Sequence, residues 1–289
     1  MYVYINGSIV PKEEARVSAF DHGYLYGLGL FETFRIDGGH PFLLDDHFQR
    51  LQEGLKELAI SWSMSKSEVM KILKELLAAN QLDSAYVRWN VAAGAEEIGL
   101  YTGEYKEPTV IVYMKPLPNG SSEKEASVLS LRRNTPEGSY RLKSHHYLNN
   151  MLAKRELGND VNSEGIFLTK DGYVAEGIVS NVFWVKEGVV YTPSVDTGIL
   201  DGITRRFILT LLNKKRIPYE VGFYQESKFL NADEAFITNS IQEIVPLCSI
   251  NGRRLKGERP VTVGLIREFD RYRGQLWSRS EILEVGNNE

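Results

Sequence analysis

The chain has 289 residues, 43% hydrophobic and 25% charged, enough for one large core or two modest ones, of which two are expected. A net charge of −4 and a pI near 5.9 exclude a general affinity for nucleic acid and for acidic membranes. The single cysteine, Cys248, excludes an internal disulfide and a cysteine metal cluster, and it fits a reducing compartment. The N-terminal stretch lacks a basic region followed by an apolar one, and no apolar run approaches the roughly 18 residues that cross a bilayer, so a cytoplasmic protein is expected.

YVYINGSIV reads as two short strands joined at Asn6-Gly7, and FETFRIDGGHPFLL repeats the pattern with a turn at Asp37-Gly38-Gly39. A helix follows from about Leu44, with Phe48, Leu51, Leu55 and Leu58 at helical spacing; a second, near 66–79, carries Val69, Ile72, Leu73 and Leu76. AYVRWNVAAG and TVIVYMKP are strand-like, so residues 1–114 form a smaller α/β domain. Residues 115–125, beginning KPLPNGSSEK, are the linker, and 126–289 the larger C-terminal domain.

Within that domain SVLSLRR is expected as a strand, 145–157 as a helix and GIFLT as another strand. DGYVAEGIVSNVFWVKEGVVYTP is a run of β-structure, Asp201-Gly202 opens the helix ITRRFILTLLNKK, and AFITNS is a strand ending in a polar turn. The fold class is mixed α/β in two domains, with the active-site cleft expected between them.

Four features carry chemistry. In SYRLKSHHYLNN, a helix starting near Ser144 places Lys143 just before its first turn, although a lysine there is ordinarily a solvated charge. His145 and His146 make no metal site, because neighbours on a helix point about 100° apart and no carboxylate or cysteine completes a set. Glu176, in YVAEGIVSNVFWV, has apolar or small neighbours. It is either an outward-facing strand residue or a carboxylate held dry for a protonated ring nitrogen, with Asn181 as support.

In DGITRRF, the N–H groups of Ile203 and Thr204 would point out of a helix N-terminus, where a phosphate binds; a plain N-cap is the alternative. Thr238-Asn239-Ser240 gather donors into a second cradle or a simple turn. Arg50 shares a helix face with His47 and Gly54, and its ordinary role would be an exposed pair with Asp46.

Several motifs in the same order, DHGYLYGLGLFETFR, HFQRL, RLKSHHYLNNMLAKRE, EGIFLTKDGYVAEGIVSNVFWV, YTPSVDTGILDGITRRF and ADEAFITNSIQEIVP, resemble the fold-type IV pyridoxal-phosphate enzymes over nearly the whole chain. That family holds branched-chain aminotransferases, D-amino acid aminotransferases and 4-amino-4-deoxychorismate lyases. NTPEGSYRLKSHHYLNN with the first motif looks most like the lyases of Bacillus-type bacteria.

The resemblance implies pyridoxal 5'-phosphate as cofactor, bonded to Lys143, with Glu176 on its ring nitrogen. Arg50, Ile203, Thr204, Asn239 and Ser240 would then bind its phosphate. Tyr86 and Arg88, on one strand face, match a substrate-binding Tyr-x-Arg pair, and Tyr26 and Phe31 fall where the family lines its pocket, with core aromatics as the alternative for those two. The loop Ala95-Glu96-Glu97-Ile98-Gly99 lacks the arginine and histidine of D-amino acid aminotransferases.

The expected activity is elimination of pyruvate from 4-amino-4-deoxychorismate to give p-aminobenzoate for folate synthesis. An aminotransferase and a cofactor-holding protein without turnover are the alternatives. A homodimer is implied as well.

Overall fold

Asn6 and Gly7 both take positive φ, 43° and 94°, as a two-residue hairpin turn requires. They join β1 (Tyr2–Ile5) to β2 (Ser8–Pro11). The computed structural model describes residues 1–282. It divides into two compact units: Met1–Pro118 with Leu142–His146 and Gly274–Ser278, and Asn119–Arg141 with Tyr147–Arg273 and the chain from Arg279.

The first unit continues with α1 (His22–Leu25), β3 (Gly29–Asp37), β4 (His40–Pro41), α2 (Leu44–Glu57), α3 (Lys66–Asn80), β5 (Ala85–Ala92) and β6 (Thr109–Lys115). Its six strands run antiparallel in the order β2-β1-β6-β5-β3-β4. Alternation along β3 and β5 sends Phe34, Ile36, Val87 and Trp89 into a core with Leu51, Leu55 and Leu73 of the two long helices. Each such side chain contributes about 1.5–3 kcal/mol by leaving water.

Ser65 and Glu68 form a capping box at the start of α3. The start of α2 has no side-chain cap, and Leu43 before it sits at φ 55°. Its main-chain donors are met from far along the chain: Leu43 N–H donates to Leu276 O at 3.1 Å and Asp45 N–H to Trp277 O at 3.0 Å.

The second unit holds β7 (Lys124–Val128), α4 (Leu148–Leu157), β8 (Ser163–Leu168), β9 (Val174–Gly177), β10 (Asn181–Lys186), β11 (Val189–Pro193), α5 (Ile203–Lys214), β12 (Tyr219–Gly222), α6 (Glu226–Leu230), β13 (Glu234–Asn239), β14 (Glu243–Ile250), β15 (Arg253–Arg254) and α7 (Pro260–Asp270). Its mixed sheet is ordered β12-β11-β10-β13-β14-β7-β8-β9, with β15 beside β14. Trp184, Phe229, Ile237 and Leu247 centre its core. Both units combine sheet and helix, the mixed α+β class.

Two elements differ from the sequence reading. The strand expected at SVLSLRR ends at Val128, and beyond it only the N–H groups of Leu129 and Arg133 among these residues bond to β8 and its end, at Ile166 O and Leu168 O. The helix expected from 145 begins at Leu148. Ahead of it the chain is drawn out along β3: Phe31 N–H donates to Lys143 O and His145 N–H to Gly29 O, both at 3.0 Å. Those β-type bonds outcompete the first helical turn.

Candidate active site

Lys143 therefore lies on an extended segment, five residues before α4, in the first unit. Residues 143 and 145 share one side of such a segment, and both meet Phe31. The Lys143 ammonium rests 4.6 Å from the Phe31 ring centre and the Arg88 guanidinium 3.6 Å from it. The His145 ring stacks on the same phenyl at 6.1 Å.

Phe31 itself is buried. Arg88 projects from β5 beside Asn90, whose Oδ1 accepts from the Arg88 Nε at 3.0 Å. Tyr86 lies on the same face under the Lys115 ammonium. Burial, helped by the nearby Arg88 charge, pushes the His145 imidazole down to about 4, so it is neutral at pH 7. Its Nε2 is buried with no hydrogen-bond partner among the described residues. Tyr26 closes α1, and its hydroxyl accepts from Gly99 N–H at 2.9 Å.

Arg50 is part-buried, and its guanidinium has a partner on the neighbouring strand. Helix α2 turns it onto β3, where Glu32 accepts from Nε and Nη2, each at 2.7 Å, and from Nδ1 of His47 at 2.6 Å. Burial alone would raise the Glu32 carboxyl, but Arg50 and His47 outweigh it and hold it at about 2. Burial lowers the His47 imidazole, against the pull of Glu32. Gly54 leaves room for β3 here: a Cβ there would meet Leu30 Cδ1 at 2.5 Å.

In the second unit Glu176 is buried on β9, not outward-facing, because all four residues of that strand are covered. Its carboxylate accepts from Arg133 Nε at 2.8 Å, from Leu200 N–H at 2.9 Å and from Asn181 Nδ2 at 3.4 Å. Arg141 stands 3.8 Å away, and burial lowers its guanidinium to about 10. Asn181 is the supporting hydrogen-bonder, since its Nδ2 also donates to Leu200 O at 2.8 Å. A Cβ on Gly202 would strike Asn181 Oδ1 at 2.1 Å, so glycine is needed where this loop enters α5.

Helix α5 starts at Ile203 with Gly202 as an N-cap that supplies no side-chain acceptor. Thr204 Oγ1 and Ser240 Oγ lie 3.3 Å apart, so the structure joins the two cradles read separately in the sequence. The side-chain oxygen of Asn239 accepts from Ile241 N–H at 3.0 Å and Gln242 N–H at 2.8 Å, shaping the turn that presents Ser240. The Thr238 hydroxyl beside it is buried without a partner among the described residues.

This donor set fits a phosphate: paired hydroxyls, an orphaned hydroxyl and an uncapped helix N-terminus. A buried carboxylate in the same unit fits a protonated pyridine nitrogen. Among the described residues no group of three or more His, Cys, Asp or Glu is placed to hold a metal ion.

Arg133, Glu32 and Asn90 were not singled out in the sequence. Arg133 lies 43 residues from Glu176, and no local periodicity reports such a pairing. Glu32 had a signal, since strand alternation puts it on the same face as the apolar Leu30, Phe34 and Ile36, where a buried carboxylate needs partners.

The profile of the Amino-transferase class IV family matches residues 29–250. The aminodeoxychorismate lyase of Bacillus subtilis (strain 168) is 52% identical over 252 residues, 86% of each chain. A putative branched-chain-amino-acid aminotransferase of Methanocaldococcus jannaschii is 36% identical over 262 residues, 90% of this chain and 91% of its own. Among solved structures, the branched-chain aminotransferase of Thermoproteus uzoniensis with norvaline superposes with a TM-score of 0.84 at 29% identity over 94% of each chain.

Proposed function

Because the chain belongs to the class IV aminotransferase family, whose members use pyridoxal phosphate, we propose that it is a 4-amino-4-deoxychorismate lyase, releasing pyruvate and leaving p-aminobenzoate. The observation that carries this reading over an aminotransferase is its 52% identity to the Bacillus subtilis lyase, against 36% to the archaeal aminotransferase.

Pyridoxal phosphate supplies an electron sink for the carbon bearing the substrate's nitrogen. Lys143 would hold the cofactor through its Nζ. The same Nζ, once released, would take the proton from the nitrogen-bearing carbon of the substrate. Glu176 would pair with the cofactor's ring nitrogen, and Arg133, Leu200 and Asn181 hold its carboxylate in place. Ile203, Thr204, Asn239, Ser240 and Arg50 bind the phosphate.

Arg88 binds a substrate carboxylate, with Tyr86, Tyr26 and Phe31 as walls. As the carbon–oxygen bond to the enolpyruvyl group breaks, the six-membered ring becomes aromatic. The departing group regains a proton as pyruvate.

The functional unit is a homodimer in a reducing, cytoplasmic setting. Supporting the dimer, an apolar face of the first unit gathers Phe20, Tyr24, Leu25, Ile98 and Leu100. Tyr24 is 78% and Leu100 90% exposed, and Glu96 N–H to Phe20 O ties the two stretches together. Among the described residues no helix is long and apolar enough to cross a membrane. Sedimentation tests the dimer, and a monomer at micromolar concentration would refute it.

A paired assay tests the activity. Aminodeoxychorismate should give p-aminobenzoate and pyruvate in equal amounts, while D-alanine or L-leucine with 2-oxoglutarate should give little keto acid. Keto acid without p-aminobenzoate would make the chain an aminotransferase.

A further inference from the structure

Lys124, at the start of β7, is only 7% exposed, and the proposed chemistry does not use it. Its ammonium lies 3.6 Å from Glu164 Oε2 and donates to Gln242 Oε1 at 3.3 Å. Glu164, on β8, is 3% exposed, and its other oxygen accepts from Ile178 N–H at 3.0 Å and Ser180 Oγ at 3.1 Å. Burial pushes the Glu164 carboxyl up, against the pull of Lys124. Taking an ammonium and a carboxylate out of water is costly, and a well-packed apolar pair often serves stability as well or better. The pair therefore calls for a role other than holding the sheet together.

Its two ends supply one. Through Ser180 and Ile178 the pair grips the turn that directly follows Glu176. Through Gln242 it grips the turn that presents Ser240, since the Gln242 N–H closes that turn on Asn239 Oδ1. Strand pairing puts the parts in reach, with β7 between β14 and β8 in the sheet.

We propose that Lys124 is a positioning residue that fixes the Ser240 turn and the Glu176 turn relative to each other, so that the cofactor's phosphate and its ring nitrogen are bound cooperatively. This rests on the cofactor roles given above to Ser240 and Glu176. The buried Lys124–Glu164 pair couples the turns because the ammonium and both carboxylate oxygens have fixed partners.

The test is a set of double-mutant cycles on cofactor affinity, with Lys124→Met combined in turn with Ser240→Ala and Glu176→Gln. Affinities of the cofactor-free protein are measured for pyridoxal phosphate, for pyridoxal and for inorganic phosphate. Lys124→Met alone is expected to weaken pyridoxal phosphate about tenfold or more, the scale of one charge-assisted hydrogen bond. It should narrow the preference for pyridoxal phosphate over pyridoxal.

Its effect should shrink at least about threefold on either second background. Simple additivity with both partners would overturn the coupling and leave Lys124 a stability residue. Should Lys124→Met fail to fold, Gln242→Leu cuts only the phosphate end. It should lower inorganic phosphate affinity, and unchanged affinity would overturn the proposal. If Ser240→Ala alone leaves phosphate and cofactor binding intact, the assignment of the phosphate turn has failed instead.

Discussion

In the first unit, charge is held side chain against side chain: Lys143 and Arg88 against one phenyl ring, Arg50 clasped by Glu32. In the second, main-chain donors share the load with side chains: Leu200 N–H joins Arg133 and Asn181 on Glu176, and the bare start of α5 lies beside Ser240. A site built from side chains can be abolished by one substitution. A cradle that includes backbone donors degrades by steps, because no side-chain change removes an N–H.

The sharpest test of that contrast is Lys143→Ala. Turnover should fall by roughly 10²–10⁴-fold or more, and borohydride should no longer fix the cofactor to the 143-containing peptide; covalent trapping that persists would remove Lys143 from its role. Next comes Glu32→Gln, which removes the buried carboxylate shared by Arg50 and His47 and should cost about 3–5 kcal/mol in urea melts at pH 7.

The same residue sets an acid limb. Its carboxyl sits at about 2 in the folded chain against an ordinary 4.5. The stability it contributes is therefore complete above about 4.5 and lost as pH falls from there through about 2. Melts from pH 6 to pH 2 should show that limb in the wild type and a flatter one in Glu32→Gln.

Glu176→Gln should keep the fold and lower turnover roughly 10–100-fold, the worth of a charge-assisted hydrogen bond of about 1.5–3 kcal/mol. Smallest of all, Thr204→Ala should weaken cofactor binding only several-fold, about 0.5–1.5 kcal/mol. Complete loss of binding in that variant would mean that the cradle depends on hydroxyls and not on the backbone.

The helices α2, α3 and α5 and the hairpins were legible because their signals are local, from the 3.6-residue spacing of Phe48, Leu51 and Leu55 to the Asn6-Gly7 turn. The 145–157 helix was misplaced at its start because the bonds to Gly29 and Phe31 come from more than a hundred residues away. Whether Glu176 faces in or out could not follow from alternation, since β9 is covered on both sides. Thr204 and Ser240 were each legible as isolated donors, but their 3.3 Å approach depends on how α5 meets the end of β13. Ion pairs such as Arg133 with Glu176 leave no trace in spacing at all.

The acceptors for the start of α2 sit at Leu276 and Trp277, and that has a consequence for synthesis. Some 220 residues must follow α2 from the ribosome before those carbonyls exist, which at ordinary elongation rates is roughly 10–50 seconds. During that interval the nascent first unit carries a helix whose leading donors are met by water alone. A chain truncated before Leu276 should leave it so permanently, with the opening turn of α2 the first part of that unit to exchange its amide protons.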